Sequence, residues 1–66
     1  MRIVLNGQLR DATAGMTVAD LLREHNLYSQ RCAIEVNLDV VPRTQLEQYQ
    51  LSDGDRVEVV TLVGGG

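Results

Sequence analysis

The chain closes on Gly64-Gly65-Gly66, and the α-carboxylate expected at Gly66 is the group best placed to do chemistry. A carboxylate is a poor electrophile until one oxygen becomes a good leaving group, as in a mixed anhydride with a phosphate. A protein tail processed in that way must thread to a reactive centre buried in another protein. Glycine suits the task, because without a Cβ its backbone approaches closely and accepts φ values that other residues resist. Directly behind a long β-type run, the tail reads as functional rather than as slack. Gly64 carries the least weight of the three and also serves as a plain spacer.

The remaining reactive side chains are isolated. Cys32 is the one cysteine, which rules out an internal disulfide and falls far short of a zinc or iron–sulfur ligand set. It is capable of an adduct, but at the head of an apolar strand it reads as a small buried hydrophobe. His25 is the one histidine and has no nucleophile near it in the pattern to serve as a general base. It reads as structural. No metal site and no catalytic set is expected.

Composition narrows the classes further. The chain has 66 residues, enough for one domain, and a domain that small buries only about 60% of the surface its unfolded chain exposes. A deep enclosed active site needs more protein, so an enzyme acting alone is not expected. Hydrophobic residues make up 44% and charged residues 23%, a globular balance. Net charge is −3, with arginine as the only strong base and two tyrosines as the only aromatics. Nucleic-acid binding is not expected of such a surface, which lacks both a basic stripe and a stacking platform. Met1-Arg2-Ile3-Val4-Leu5 turns polar at Asn6, so neither a signal peptide nor a membrane span is expected and a cytoplasmic monomer is the default.

The elements that must carry the tail can be read in order. Met1 to Leu5 is apolar and β-branched, and Asn6-Gly7 is a hairpin signal because a type I′ turn needs positive φ at both central positions. A second strand is expected over Gln8 to Thr13, and Gly15 breaks it. Thr17 reads as a helix N-cap with Asp20 completing a capping box. Val18, Leu21, Leu22 and His25 form the buried face of a helix of about nine residues, with Asp20, Arg23 and Glu24 outside. Asn26 ends it in the left-handed conformation. Cys32 to Asn37 is a third strand, Asn37-Leu38-Asp39 a turn, and Val40-Val41 a short fourth strand stopped by Pro42. Thr44 to Tyr49 is expected to make a single helical turn, and Asp53-Gly54-Asp55 a tight turn. Arg56 to Val63 is the longest β-type run.

This order is β-β-α-β-β-β. It fits an α+β, β-grasp (ubiquitin-like) fold: a mixed sheet of four to five strands, the first and last parallel at the centre, and one helix across one face. The domain is expected over 1–63, with 64–66 as a flexible tail. By strand alternation Val57, Val59 and Thr61 should face the helix, whereas Glu58, Val60 and Leu62 face outward. Two exposed apolar residues just before a threading tail fit a docking patch. Arg43, following Pro42, is a candidate charged contact beside it.

At this point the sequence resembles a known family. Leu51-Ser52-Asp53-Gly54-Asp55-Arg56-Val57-Glu58-Val59-Val60 with a terminal glycine run is similar to the end of the small prokaryotic sulfur carriers. Asn37-Leu38-Asp39-Val40-Val41-Pro42-Arg43 narrows this to the ThiS-type carriers of thiamin biosynthesis. The Asn6-Gly7 opening, the Gly15-x-Thr17-Val18 helix entry and the length agree, so the resemblance covers nearly the whole chain. The chain departs in ending on three glycines where many relatives have two. Val60-Thr61-Leu62-Val63 stands where molybdopterin carriers tend to have paired prolines.

The resemblance implies that Gly65 and Gly66 are the functional pair. It implies that a partner enzyme uses ATP and magnesium to adenylate the Gly66 carboxylate, after which sulfur replaces AMP to leave a thiocarboxylate. Thiazole synthase would consume that sulfur, and a donor such as a cysteine desulfurase would supply it. On this reading the chain binds no cofactor and is a recycled substrate rather than an enzyme. Three alternatives stay open from the residues alone: a carrier for another pathway, a ubiquitin-like modifier joined to lysines, and a non-covalent β-grasp interaction domain.

Overall fold

The computed structural model describes residues 1–62. Gly64, Gly65 and Gly66, and the expected end of the last strand at Val63, lie outside the described residues.

Among the described residues five strands form one sheet in the order β2-β1-β5-β3-β4. Strand β1 (Arg2–Leu5) and β2 (Gln8–Asp11) make the expected hairpin. Asn6 and Gly7 take φ of 49° and 81°, which the primed turn demands. β2 stops two residues short of the expected Thr13. Ala12 still donates its N–H to the Met1 carbonyl at 2.7 Å, but Thr13 accepts from Met16 N–H at 3.0 Å and so closes a turn.

Helix α1 covers Val18–Glu24, seven residues between the caps Thr17 and His25. The capping box is formed in both directions: Asp20 N–H donates to Thr17 Oγ1 and Thr17 N–H to Asp20 Oδ2, each at 3.1 Å. Asn26, at φ 58°, ends the helix in a Schellman arrangement. Its N–H reaches the Arg23 carbonyl at 3.1 Å, and Leu27 N–H reaches the Leu22 carbonyl at 2.7 Å. Two N–H groups of the first turn that the box leaves free find partners far along the chain. Val18 donates to the Tyr49 carbonyl and Ala19 to the Leu46 carbonyl, both at 2.9 Å. The segment 43–49 thus closes the helix start, meeting the two N–H groups there that the box leaves without a partner.

That segment is a 3-10 turn over Arg43–Gln45. It begins one residue before the expected Thr44, and its turn bonds continue to Tyr49, whose N–H meets the Gln45 carbonyl at 2.9 Å. Strands β3 (Cys32–Val36) and β4 (Asp39–Val40) are joined by Asn37 and Leu38 at φ 51° and 74°. The fourth strand is shifted one residue from Val40-Val41, because Val41 turns inward and is buried, its N–H on the Ile34 carbonyl at 2.9 Å. Strand β5 (Arg56–Thr61) lies at the centre, parallel to β1 and antiparallel to β3.

The core lies between the sheet and α1. Ile3, Leu5, Ile34, Val36, Val57 and Val59 from the strands meet Val18, Ala19, Leu21 and Leu22 from the helix. Met16, Val41, Leu46 and Leu51 close its margins. Burying one such leucine contributes about 1.5–3 kcal/mol, so in a domain of this size each matters. Thr61 departs from expectation. It is exposed rather than helix-facing, because a seven-residue helix is only about 10 Å long and leaves the end of β5 uncovered.

Candidate functional site: the base of the C-terminal tail

Three of the four residues expected to form a docking surface come together around the end of β5. Val57 and Val59 point into the core at 1% and 8% exposure, whereas Val60 and Leu62 are 57% and 52% exposed. Glu58 shares the open face with Val60 by strand alternation and is exposed. Across the ladder Ala33 stands opposite Val60 and Glu35 opposite Glu58. The face therefore carries an apolar row next to the tail and a carboxylate pair one step behind it. Like charges directly opposed across strands are destabilising, so this row is not arranged for stability alone.

Arg43 is not part of this face. Its guanidinium donates to the Tyr28 carbonyl at 3.2 Å and lies 5.9 Å from the Tyr28 ring. Arg23 of α1 lies closer to that ring, at 4.3 Å. The Tyr28 hydroxyl donates to Glu47 at 2.7 Å, and Arg23 pairs with both Glu47 and Asp20. Hydrogen bonds from Arg23 and Tyr28 hold the Glu47 carboxyl below the usual carboxylate range, and the same bond raises the Tyr28 phenol. Asp20 is lowered chiefly by the Thr17 N–H and then by the Thr17 hydroxyl. This cluster ties α1, the crossover 26–31 and the segment 43–47 together on the helix side.

The course of β5 is fixed largely by residues at or beside the expected turns. Asn6 pairs its side-chain amide with both backbone groups of Val59. Asp55 accepts from Ser52 N–H at 2.7 Å and from Asn37 Nδ2 at 2.9 Å, while Asn37 Oδ1 accepts from Arg56 N–H at 3.0 Å. Asp53 accepts from Arg2 N–H at 2.8 Å. The stretches that carry the family resemblance, 37–43 and 51–60, thus share bonds that hold the start of β5. The last described residue is held by its backbone, with Leu62 N–H on the Arg31 carbonyl at 2.8 Å.

Cys32 is half-buried and packs against the core, and its thiol lies 3.7 Å from the Leu27 carbonyl. It is less enclosed than a buried hydrophobe because it stands opposite exposed Thr61 at the strand end. His25 is half-buried as the helix C-cap. Among the described residues no group of three or more His, Cys, Asp or Glu is placed to hold a metal ion, and no helix is long and apolar enough to cross a membrane.

A central parallel β1–β5 pair, a crossover helix on one face and an open face leading to the tail define a ubiquitin-like β-grasp protein. Comparison with known proteins agrees. A thiamine biosynthesis protein, ThiS, of Geobacter metallireducens superposes with a TM-score of 0.84 at 26% identity, covering 100% of both chains. The chain belongs to the ThiS family, which matches it over residues 3–66. The sulfur carrier protein ThiS of Escherichia coli is 33% identical over 66 residues, the whole of both chains. A thiazole synthase of Paramagnetospirillum magneticum is 42% identical over the same 66 residues, yet this chain spans only 20% of that protein's length.

Proposed function

We propose that the chain carries sulfur to thiazole formation in thiamin biosynthesis on the carboxyl carbon of Gly66. In the first step a Gly66 carboxylate oxygen attacks the α-phosphorus of ATP, supplied with magnesium by an adenylating partner, and pyrophosphate leaves. In the second, the outer sulfur of a persulfide on a donor such as a cysteine desulfurase attacks the acyl carbon and AMP leaves. A thiol then reduces the resulting acyl disulfide, leaving a thiocarboxylate and a disulfide. Thiazole synthase then takes the sulfur, an oxygen from the acceptor substrate or water replaces it on the acyl carbon, and the carboxylate is regenerated. The observation that carries this reading is the family match, which runs through the glycines to residue 66.

Val60, Leu62 and Glu58 form the docking surface for the activating enzyme. Leu62 is four positions before Gly66 in the sequence, and four extended residues span at most about 14 Å. An enzyme that closes on Gly66 must therefore lie against the end of β5. Gly65 and Gly64 keep the approach narrow. The likeness of a named thiazole synthase to this chain supports that enzyme as the consuming partner.

The test is pyrophosphate exchange with a ThiS-adenylating enzyme, followed by mass spectrometry of the product after a sulfur donor and a thiol are added. The parent chain supports exchange and gains the mass of sulfur replacing oxygen. A chain amidated at Gly66 supports none, and Gly65→Val is severely impaired because a β-branched side chain restricts the backbone. Normal exchange by the amidated chain overturns the reading. Adenylation followed by joining to lysines, with no sulfur gained, assigns the chain to the protein modifiers instead.

A further inference from the structure

The crossover between α1 and β3 reaches the end of β5. It leaves the helix at Asn26, and Gln30 closes it with two bonds, its N–H on the Leu27 carbonyl at 3.1 Å and its amide on the Asn26 carbonyl at 3.2 Å. In its middle, Tyr28 is held at three points. Glu47 takes the hydroxyl, Arg43 takes the backbone carbonyl, and Arg23 lies against the ring. At its end the Arg31 carbonyl accepts the Leu62 N–H. That bond lies one residue beyond the last sheet pair, Cys32 with Thr61, and Gly64 follows two positions later.

From this we infer that Tyr28, together with Arg43, is a positioning residue for the end of the docking face: by pinning the crossover it fixes the Arg31 carbonyl, and through it Leu62. The functional part of this rests on the reading of Gly66 as the reacting residue. Neither Tyr28 nor Arg43 touches the open face, so neither acts by contact with an enzyme docked on Val60. Without the pin, the bond at Leu62 closes a strand end whose neighbouring residue, Thr61, is already uncovered. A loosely held Leu62 presents that face in more arrangements and lowers the fraction of encounters that dock. The effect belongs in KM for the carrier, because once docked the chain offers the same reacting residue.

Two variants and two readouts test this. Tyr28→Ala removes the ring and hydroxyl. Tyr28→Phe keeps the ring against Arg23 and loses only the bond to Glu47, which guards against a variant that fails to fold. In the free protein, hydrogen exchange at the Leu62 amide should quicken about tenfold in Tyr28→Ala and less in Tyr28→Phe. Exchange at Ile34 and Val57 should stay as in the parent. In pyrophosphate exchange, KM should rise in the same order with kcat retained. Unchanged Leu62 exchange in both folded variants overturns the inference, as does a loss that falls on kcat alone. If Leu62 responds but the parent supports no pyrophosphate exchange, the pin stands and the carrier reading fails.

Discussion

The side chain of Asn6 pairs with the backbone of Val59 as a further strand residue would: Oδ1 accepts the Val59 N–H at 2.8 Å and Nδ2 donates to the Val59 carbonyl at 3.2 Å. The parallel backbone ladder between β1 and β5 ends where Asn6 N–H meets the Val57 carbonyl at 2.9 Å. Beyond that point the chain turns away into the hairpin, and the amide alone carries the pairing one step further along β5. One residue thus supplies the left-handed φ of the turn and holds the central strand on its way to the tail.

Replacing Asn6 with glycine keeps the turn and removes the amide. Positive φ costs glycine nothing, so the loss reports on the two bonds to Val59. A destabilisation of about 1–3 kcal/mol is expected, or a Tm lower by roughly 4–8 °C for each kcal/mol in a domain of this size. Thermal melts of Asn6→Gly and of Asn6→Asp, which retains an acceptor but cannot donate, would measure it. A melt of Asn6→Gly that overlays the parent would show that the amide adds nothing.

The open face predicts a separation of binding from stability. Val60→Asp and Leu62→Asp place a carboxylate on exposed positions, so Tm should change little. In a desolvated interface the same charge is unpaired, and affinity for the adenylating enzyme should fall by tenfold or more, about 1.4 kcal/mol upwards. Titration calorimetry with the enzyme, beside a thermal melt, reads both. Equal affinity would remove the patch from the docking surface.

Acid should dissolve the ion-pair cluster before the core. Glu47 and Asp20 have folded pKa values below their ordinary 4.5 and 3.8, so their ionised forms favour the folded state. That contribution is present above the unfolded values and is lost as pH falls through the lower folded ones. The Tm difference between parent and Glu47→Gln should therefore be seen at neutral pH and vanish well below pH 4. Both groups are solvent-exposed, so the difference should also shrink with added salt. A gap that persists at low pH would assign it to packing rather than charge.

What the sequence determined by itself is local in origin. Asn6-Gly7, Asn26 and Asn37 each take the left-handed φ that their residue types favour, and the Thr17–Asp20 box closes as its spacing requires. Val57, Val59 and Val60 divide between core and solvent by strand alternation. Each of these depends on neighbours within about four positions, so a pattern along the chain suffices. The order of elements, with a crossover between two hairpins, led from there to the β-grasp fold.

Tertiary structure decided everything that needed register between distant segments. Asn6 meets Val59 across 53 positions, and Asn37 meets Asp55 across 18. The helix start is closed by carbonyls of Leu46 and Tyr49, and Arg43 turns to Tyr28 on the helix side rather than to the open face of β5. Thr61 stays exposed because α1 is shorter than the strand it crosses. A buried or half-buried polar group must find a partner, but which partner lies in reach depends on how the whole core sets the strands and the helix against one another. That relation is written in no single stretch of the chain, which is why residues that looked like turn formers prove to be the ones holding the tail's base.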